Sequence, residues 1–63
     1  MPVVTIEMWE GRTVEQKRNL VKTVASAVAK AIGCADRDVV IIIRDAPKVN
    51  WDIGGELASD KFP

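Results

Sequence analysis

Apolar and polar residues alternate from Val3 to Met8, with Val4, Ile6 and Met8 on one face and Val3, Thr5 and Glu7 on the other. A period of two predicts a β-strand. The run "EGRT" breaks the alternation at Gly11, and Thr13 with Gln16 then forms a Thr-x-x-Gln capping box that marks a helix start. Beyond it Leu20, Val21, Val24, Val28, Ala31 and Ile32 recur at helical spacing. Glu15, Lys17, Arg18, Lys22, Ser26 and Lys30 take the opposite side. Gly33 stands where a C-terminal cap belongs, giving a helix of about 18 residues.

"VVIII" at Val39–Ile43 is a continuous β-branched run, which predicts a strand covered on both faces. Strand, helix and strand make one βαβ unit, whose strands should be parallel with a right-handed crossover. Two strands do not make a stable sheet in water. The unit is therefore expected to pair, strand to strand or face to face, with copies of itself. The stretch "NWDIGGELASDKF" carries the turn signal Gly54-Gly55 between short apolar stretches. A small hairpin packed on a neighbouring subunit would account for Trp51, Ile53 and Leu57. The expected fold is α/β: a single βαβ unit with parallel strands plus a C-terminal hairpin, assembling into oligomeric sheets, with residues 1–63 as one domain.

Composition sharpens the expectation of partners. A chain of 63 residues buries only about 60% of its unfolded surface and is marginal alone. Small domains usually add disulfides, a metal or other subunits. The one cysteine, Cys34, cannot bridge within the chain, there is no histidine, and no zinc-ligand spacing occurs. Oligomerisation is left as the route to stability, with Cys34 read as a packing residue at the helix end. Nine basic residues balance nine acidic ones and are scattered along the chain. No global field therefore points to nucleic acid or a membrane surface. No basic region with a following apolar stretch reads as a secretory signal, no run is apolar for long enough to span a bilayer, and a lone cysteine suits the cytoplasm.

Pro2 is the position with latent chemistry. With Met1 in place it is an imide-linked residue that fits a strand start. With Met1 removed it becomes a free secondary amine.

Pro2, the block "EGRTVEQKRNLV", the strand "VVIII" and the stretch "IGGELAS" run in one register over nearly the whole chain. In these the sequence resembles the 4-oxalocrotonate tautomerase family. The resemblance implies βαβ subunits of this length assembled mostly as hexamers (trimers of dimers), with sites shared between subunits. It also implies cofactor-independent isomerase activity on a small enol or keto acid, of the kind met in aromatic catabolism. By the same resemblance Pro2, after methionine removal, matches the catalytic proline and Arg12 the first active-site arginine. Trp51 falls where the family has an aromatic, usually phenylalanine, that walls the site. Val40 stands where well-studied members carry a second arginine.

The residue types suit that chemistry. An enol–keto tautomerase needs a group that is unprotonated near neutrality and a good acid once loaded. An α-amine has a reference pKa near 8, and an apolar surround or a nearby cation lowers it. Arg12, Ile42, Trp51 and neighbouring subunits are candidates for those effects. A guanidinium such as Arg12 holds a carboxylate with two parallel hydrogen bonds.

Plainer readings stand beside these. Arg12 read alone is a solvated loop residue before a helix, where a cation is mildly unfavourable. Trp51 is divided between subunit packing and lining the site. Arg44, on the same strand face as Val40, either replaces the missing arginine or is a solvated strand-end charge. Gly54-Gly55 is turn geometry, since no phosphate-binding spacing accompanies it. Two further functions stay open: a subunit of a hetero-oligomer whose sister chain supplies the missing arginine, and a hydratase or dehalogenase of unsaturated acids.

Overall fold

The computed structural model describes all 63 residues, Met1–Pro63. Strand β1 (Val3–Trp9), helix α1 (Val14–Ile32) and strand β2 (Val40–Ala46) form the βαβ unit. A hairpin of β3 (Asp52–Ile53) and β4 (Glu56–Leu57) follows, then one helical turn, α2 (Ala58–Lys61).

Helix α1 starts and stops at its caps. Gln16 N–H donates to Thr13 Oγ1 at 3.1 Å, while Thr13 N–H donates to Gln16 Oε1 at 2.9 Å. Both of these otherwise unpaired donors are thereby satisfied. At the far end Gly33 adopts φ 77°, and the N–H groups of Gly33 and Cys34 both donate to the Ala29 carbonyl. Only glycine enters that left-handed region without strain.

β1 and β2 are parallel, in a register running from Val3 opposite Val40 to Trp9 opposite Ala46. Two further bonds extend the ladder: Val40 N–H to the Pro2 carbonyl at 2.9 Å, and Glu10 N–H to the Ala46 carbonyl at 3.0 Å. Val4, Ile6, Met8, Ile41 and Ile43 are half-buried on one face. Leu20, Val21, Val24 and Val28 of α1 are half-buried as their spacing predicts, and Ala29 is the helix residue that is fully buried. Ala31 and Ile32, expected on the inner side, are exposed in the last turn.

The other face of the sheet is open. Val3 is 61% exposed and Ile42 41%, and Val40 beside them is also exposed. The expected cover on both faces of the second strand is therefore half met within one chain, and the strand itself begins at Val40 rather than Val39. Only Ala29 and Ala58 are fully buried. The chain exposes 4731 Å², where a compact monomer of its mass would expose about 4000 Å². Its radius of gyration is 14.6 Å, against about 10.6 Å for a compact chain of this length. One chain leaves an apolar sheet face uncovered.

Gly54 and Gly55, both at positive φ, turn the hairpin, and the Asp52 carboxylate accepts the Gly55 N–H at 3.2 Å. Ile53 and Leu57 remain exposed, as a hairpin awaiting a neighbour would leave them. Trp51 behaves differently from that expectation. It packs on Trp9 of its own chain, and its carbonyl accepts the N–H of buried Ala58 at 2.7 Å.

Candidate active site

The strand direction sorts the candidate residues into two groups. Pro2 lies just before β1, half-buried, next to Val40 through the ladder bond. Arg12 lies in the loop after β1, and Trp51 follows the helical turn Lys48–Asn50 beyond β2. Six strand steps at about 3.3 Å put roughly 20 Å between the two ends of β1. An arginine side chain does not cover that distance, so Pro2 and Arg12 of one chain do not meet.

At the Arg12 end an open depression of about 350 Å³ runs between β1 and the first half of α1, lined by Met8, Arg12, Gln16, Lys17, Leu20 and Thr23 among others. Lys17 is committed to an ion pair with Asp45. Arg12 forms no ion pair within the chain and is exposed. Its guanidinium keeps its full set of donors for an anion.

Arg44 shares the open sheet face with Val40, as its spacing predicts, but stands about 13 Å further along the strand. It lies 3.8 Å from Glu7, its cross-strand partner, with both side chains well exposed. Such a pair contributes little to stability.

Sequence reasoning missed a cluster of aromatic side chains around Trp9. The rings of Trp9 and Trp51 meet edge to face, with centroids 6.0 Å apart and planes at 78°. Phe62 tilts against Trp9 at 5.6 Å. Lys48 holds its ammonium 5.1 Å from the Trp9 ring centroid and donates to the Phe62 carbonyl. The indole Nε1 of Trp9 is buried and has no acceptor. One signal was available: β1 runs one residue past the expected Met8, which places Trp9 on the Val3–Thr5–Glu7 face. The contacts from Lys48 and Phe62 had none, because they depend on how the later segments fold back.

No three His, Cys, Asp or Glu side chains lie close enough to hold a metal ion, and no helix is long and apolar enough to cross a membrane.

Fold and site geometry together define a small βαβ-plus-hairpin subunit with a proline at the mouth of its first strand. The family model described as "Tautomerase enzyme" matches residues 2–61. The 2-hydroxymuconate tautomerase of Bacillus subtilis is 43% identical over 60 residues, covering 95% of this chain and 97% of that protein. A solved 4-oxalocrotonate tautomerase isozyme from Methylibium petroleiphilum superposes with a TM-score of 0.91 at 40% identity, covering 98% of this chain and all of that one. A heterohexamer 4-oxalocrotonate tautomerase from Chloroflexus aurantiacus gives a TM-score of 0.90 at 33% identity, over 95% of this chain and 97% of that one. The chain belongs to the tautomerase family, and it is an isomerase.

Proposed function

We propose that the protein is a cofactor-independent enol–keto tautomerase of small 2-hydroxy-dienoates or related enol acids, with Pro2, freed by removal of Met1, as its base and acid. The amine takes the proton from the enol hydroxyl. The oxygen's electron pair becomes the carbonyl π bond, the conjugated double bonds shift along the chain, and the distant carbon takes the proton back from the proline ammonium. Arg12 holds the substrate carboxylate and draws electron density toward it as negative charge develops. Trp51 walls the site, and Arg44 is the remaining cation that could serve a second anchor.

The observation that supports this most is the match in register over residues 2–61, with Pro2 at its first position. The roughly 20 Å between Pro2 and Arg12 gives the reading its form, since each site then joins Pro2 of one copy to Arg12 and Trp51 of another. The open sheet face supplies the surface for that assembly, and a hexamer, as a trimer of dimers, is the arrangement we favour. Val40 narrows the substrate. With no second arginine there, a dicarboxylate would bury one charge without compensation, at a cost of about 2 kcal/mol or more. Monocarboxylic enols such as 2-hydroxy-2,4-pentadienoate or an aryl enolpyruvate escape that cost.

Val40 also supports a second reading, a hetero-oligomer whose sister chain supplies the arginine; the relative from Chloroflexus aurantiacus is a heterohexamer. Protein expressed alone and untagged separates the two. Its intact mass should lack one methionine, and it should turn over an enol acid without any sister chain. An active preparation that retains Met1 in full would remove Pro2 as the base, and an inactive preparation that has lost Met1 would favour the hetero-oligomer.

A further inference from the structure

The buried N–H of Trp9 has no acceptor within the chain. Leaving such a donor unpaired costs about 1–3 kcal/mol, and in native structures nearly all buried polar groups find partners. Trp9 stands three residues before Arg12, so the two backbone positions lie at most about 11 Å apart. It also makes the edge-to-face contact with Trp51. The two rings packed on its indole, Trp51 and Phe62, come from the later part of the chain. Phe62 lies against the indole and is itself 43% exposed. It is held by its N–H bond to the Ala58 carbonyl and by the Lys48 ammonium on its own carbonyl. A side chain this exposed, just past a single helical turn, belongs to the part of a structure that opens most cheaply.

We propose that Trp9 reads the end of the substrate distal to Arg12, donating its indole N–H to an oxygen there, and that Phe62 is the cover it sheds when substrate enters. The inference rests on the tautomerase reading for the placement of the carboxylate on Arg12. A neutral donor suits a carbonyl or phenolic oxygen, while the ring accommodates a flat conjugated chain. This assigns a positive recognition element to the same molecule in which Val40 withholds a cation.

Two acids that differ by one distal oxygen, 4-hydroxyphenylpyruvate and phenylpyruvate, provide the test. In ¹⁵N-labelled protein the Trp9 indole signal is the one missing from Trp9→Phe or, should that chain not fold, the one surviving in Trp51→Phe. The hydroxylated acid should shift that signal downfield and slow its exchange with solvent, and phenylpyruvate should not. Phe62→Ala should speed the exchange of the same proton in the free protein. In turnover of the enols the wild type should favour the hydroxylated acid by about five- to tenfold, the size of one neutral hydrogen bond. Trp9→Phe should erase that preference, bringing the ratio of kcat/KM for the two acids to about one. An indole signal that responds identically to both acids, or a preference that survives Trp9→Phe, would overturn the proposal. Failure of the tautomerase reading looks different: the selective shift persists while neither acid is converted.

Discussion

The two ends of the parallel sheet differ in what one chain has finished. At the Trp9 end, aromatic rings meet on three sides, Lys48 ties down Phe62, Lys17 pairs with Asp45, and the capping box closes the helix start beside Arg12. At the Pro2 end, Met1, Val3 and Val40 are exposed, and the Pro2 carbonyl accepts one ladder bond, from Val40 N–H. One end is packed by side chains of the same chain, and the other leaves Pro2 only half-buried. A proline amine needs an apolar enclosure to stay unprotonated near neutrality, and this chain does not enclose its own. Under the proposed tautomerase reading, this asymmetry means that the subunit carries the two halves of a site at opposite ends of the same strands, to be joined by a second copy.

The most disruptive way to test this comparison acts on the face that joins copies. Ile42→Glu would place a charge where a neighbour must pack, and burying an unpaired carboxylate costs several kcal/mol at least. Because one chain fully buries only Ala29 and Ala58, loss of assembly should also mean loss of the fold. Sedimentation and circular dichroism at micromolar concentration should show a dispersed, largely unfolded chain. A folded wild-type monomer of 6.9 kDa would break the comparison outright.

The next effect is smaller and confined to the finished end. In the proposed site, Arg12→Ala removes a charge-assisted, two-bond contact with the substrate carboxylate while leaving the aromatic cluster intact. The expected loss is about 2–4 kcal/mol, or roughly 30- to 1000-fold in kcat/KM. Assembly should persist, since Arg12 makes no ion pair in the fold. Unchanged kinetics on every acid the enzyme converts would take Arg12 out of the site.

Much of this arrangement was legible in the sequence, for reasons that differ by element. The helix could be read from both ends because its caps are local: Thr13, Gln16 and Gly33 satisfy backbone groups within a few residues. The parallel pairing followed from strand–helix–strand order, and the hairpin from Gly54-Gly55. Ala31 and Ile32 could not be placed, because spacing says which residues share a face but not where the sheet beneath that face ends. The Trp9 cluster was out of reach for a related reason. It joins residues from β1, the turn after β2 and the segment after α2, and no periodic pattern links them. For the site, Pro2, Arg12 and Trp51 are candidates through resemblance, while their separation along the strand is visible only once the register is known.

Val40 offers a way to sharpen the contrast by changing the unfinished end. Val40→Arg would introduce a cation on the open face beside Pro2, where a dicarboxylate could use it. Side-by-side assays should show the wild type preferring 2-hydroxy-2,4-pentadienoate over 2-hydroxymuconate. The variant should shift that ratio toward the dicarboxylate by about tenfold or more, as expected for a charged hydrogen bond of about 1.5 kcal/mol or above. A wild type that already prefers the dicarboxylate, and keeps that preference in Arg44→Ala, would show that the missing arginine is not what sets specificity.

The smallest effect separates the ends through the helix that connects them. Thr13→Ala removes the side-chain acceptor at the start of α1, and Gly33→Ala forces a Cβ into a left-handed φ of 77° at its finish. Each should cost about 1 kcal/mol, read as similar shifts in urea midpoint at matched protein concentration, since an oligomer's stability depends on concentration. Their kinetic consequences should differ. Thr13 is the next residue after Arg12 and anchors the loop that presents it, so Thr13→Ala should raise KM for an enol acid by about two- to fivefold, within what a loosened charged contact can lose. Gly33 lies at the opposite end of the helix, so Gly33→Ala should leave KM unchanged. Equal rises in KM from both changes would mean that the helix transmits its stability uniformly to the site, and that the finished end has no local hold on Arg12.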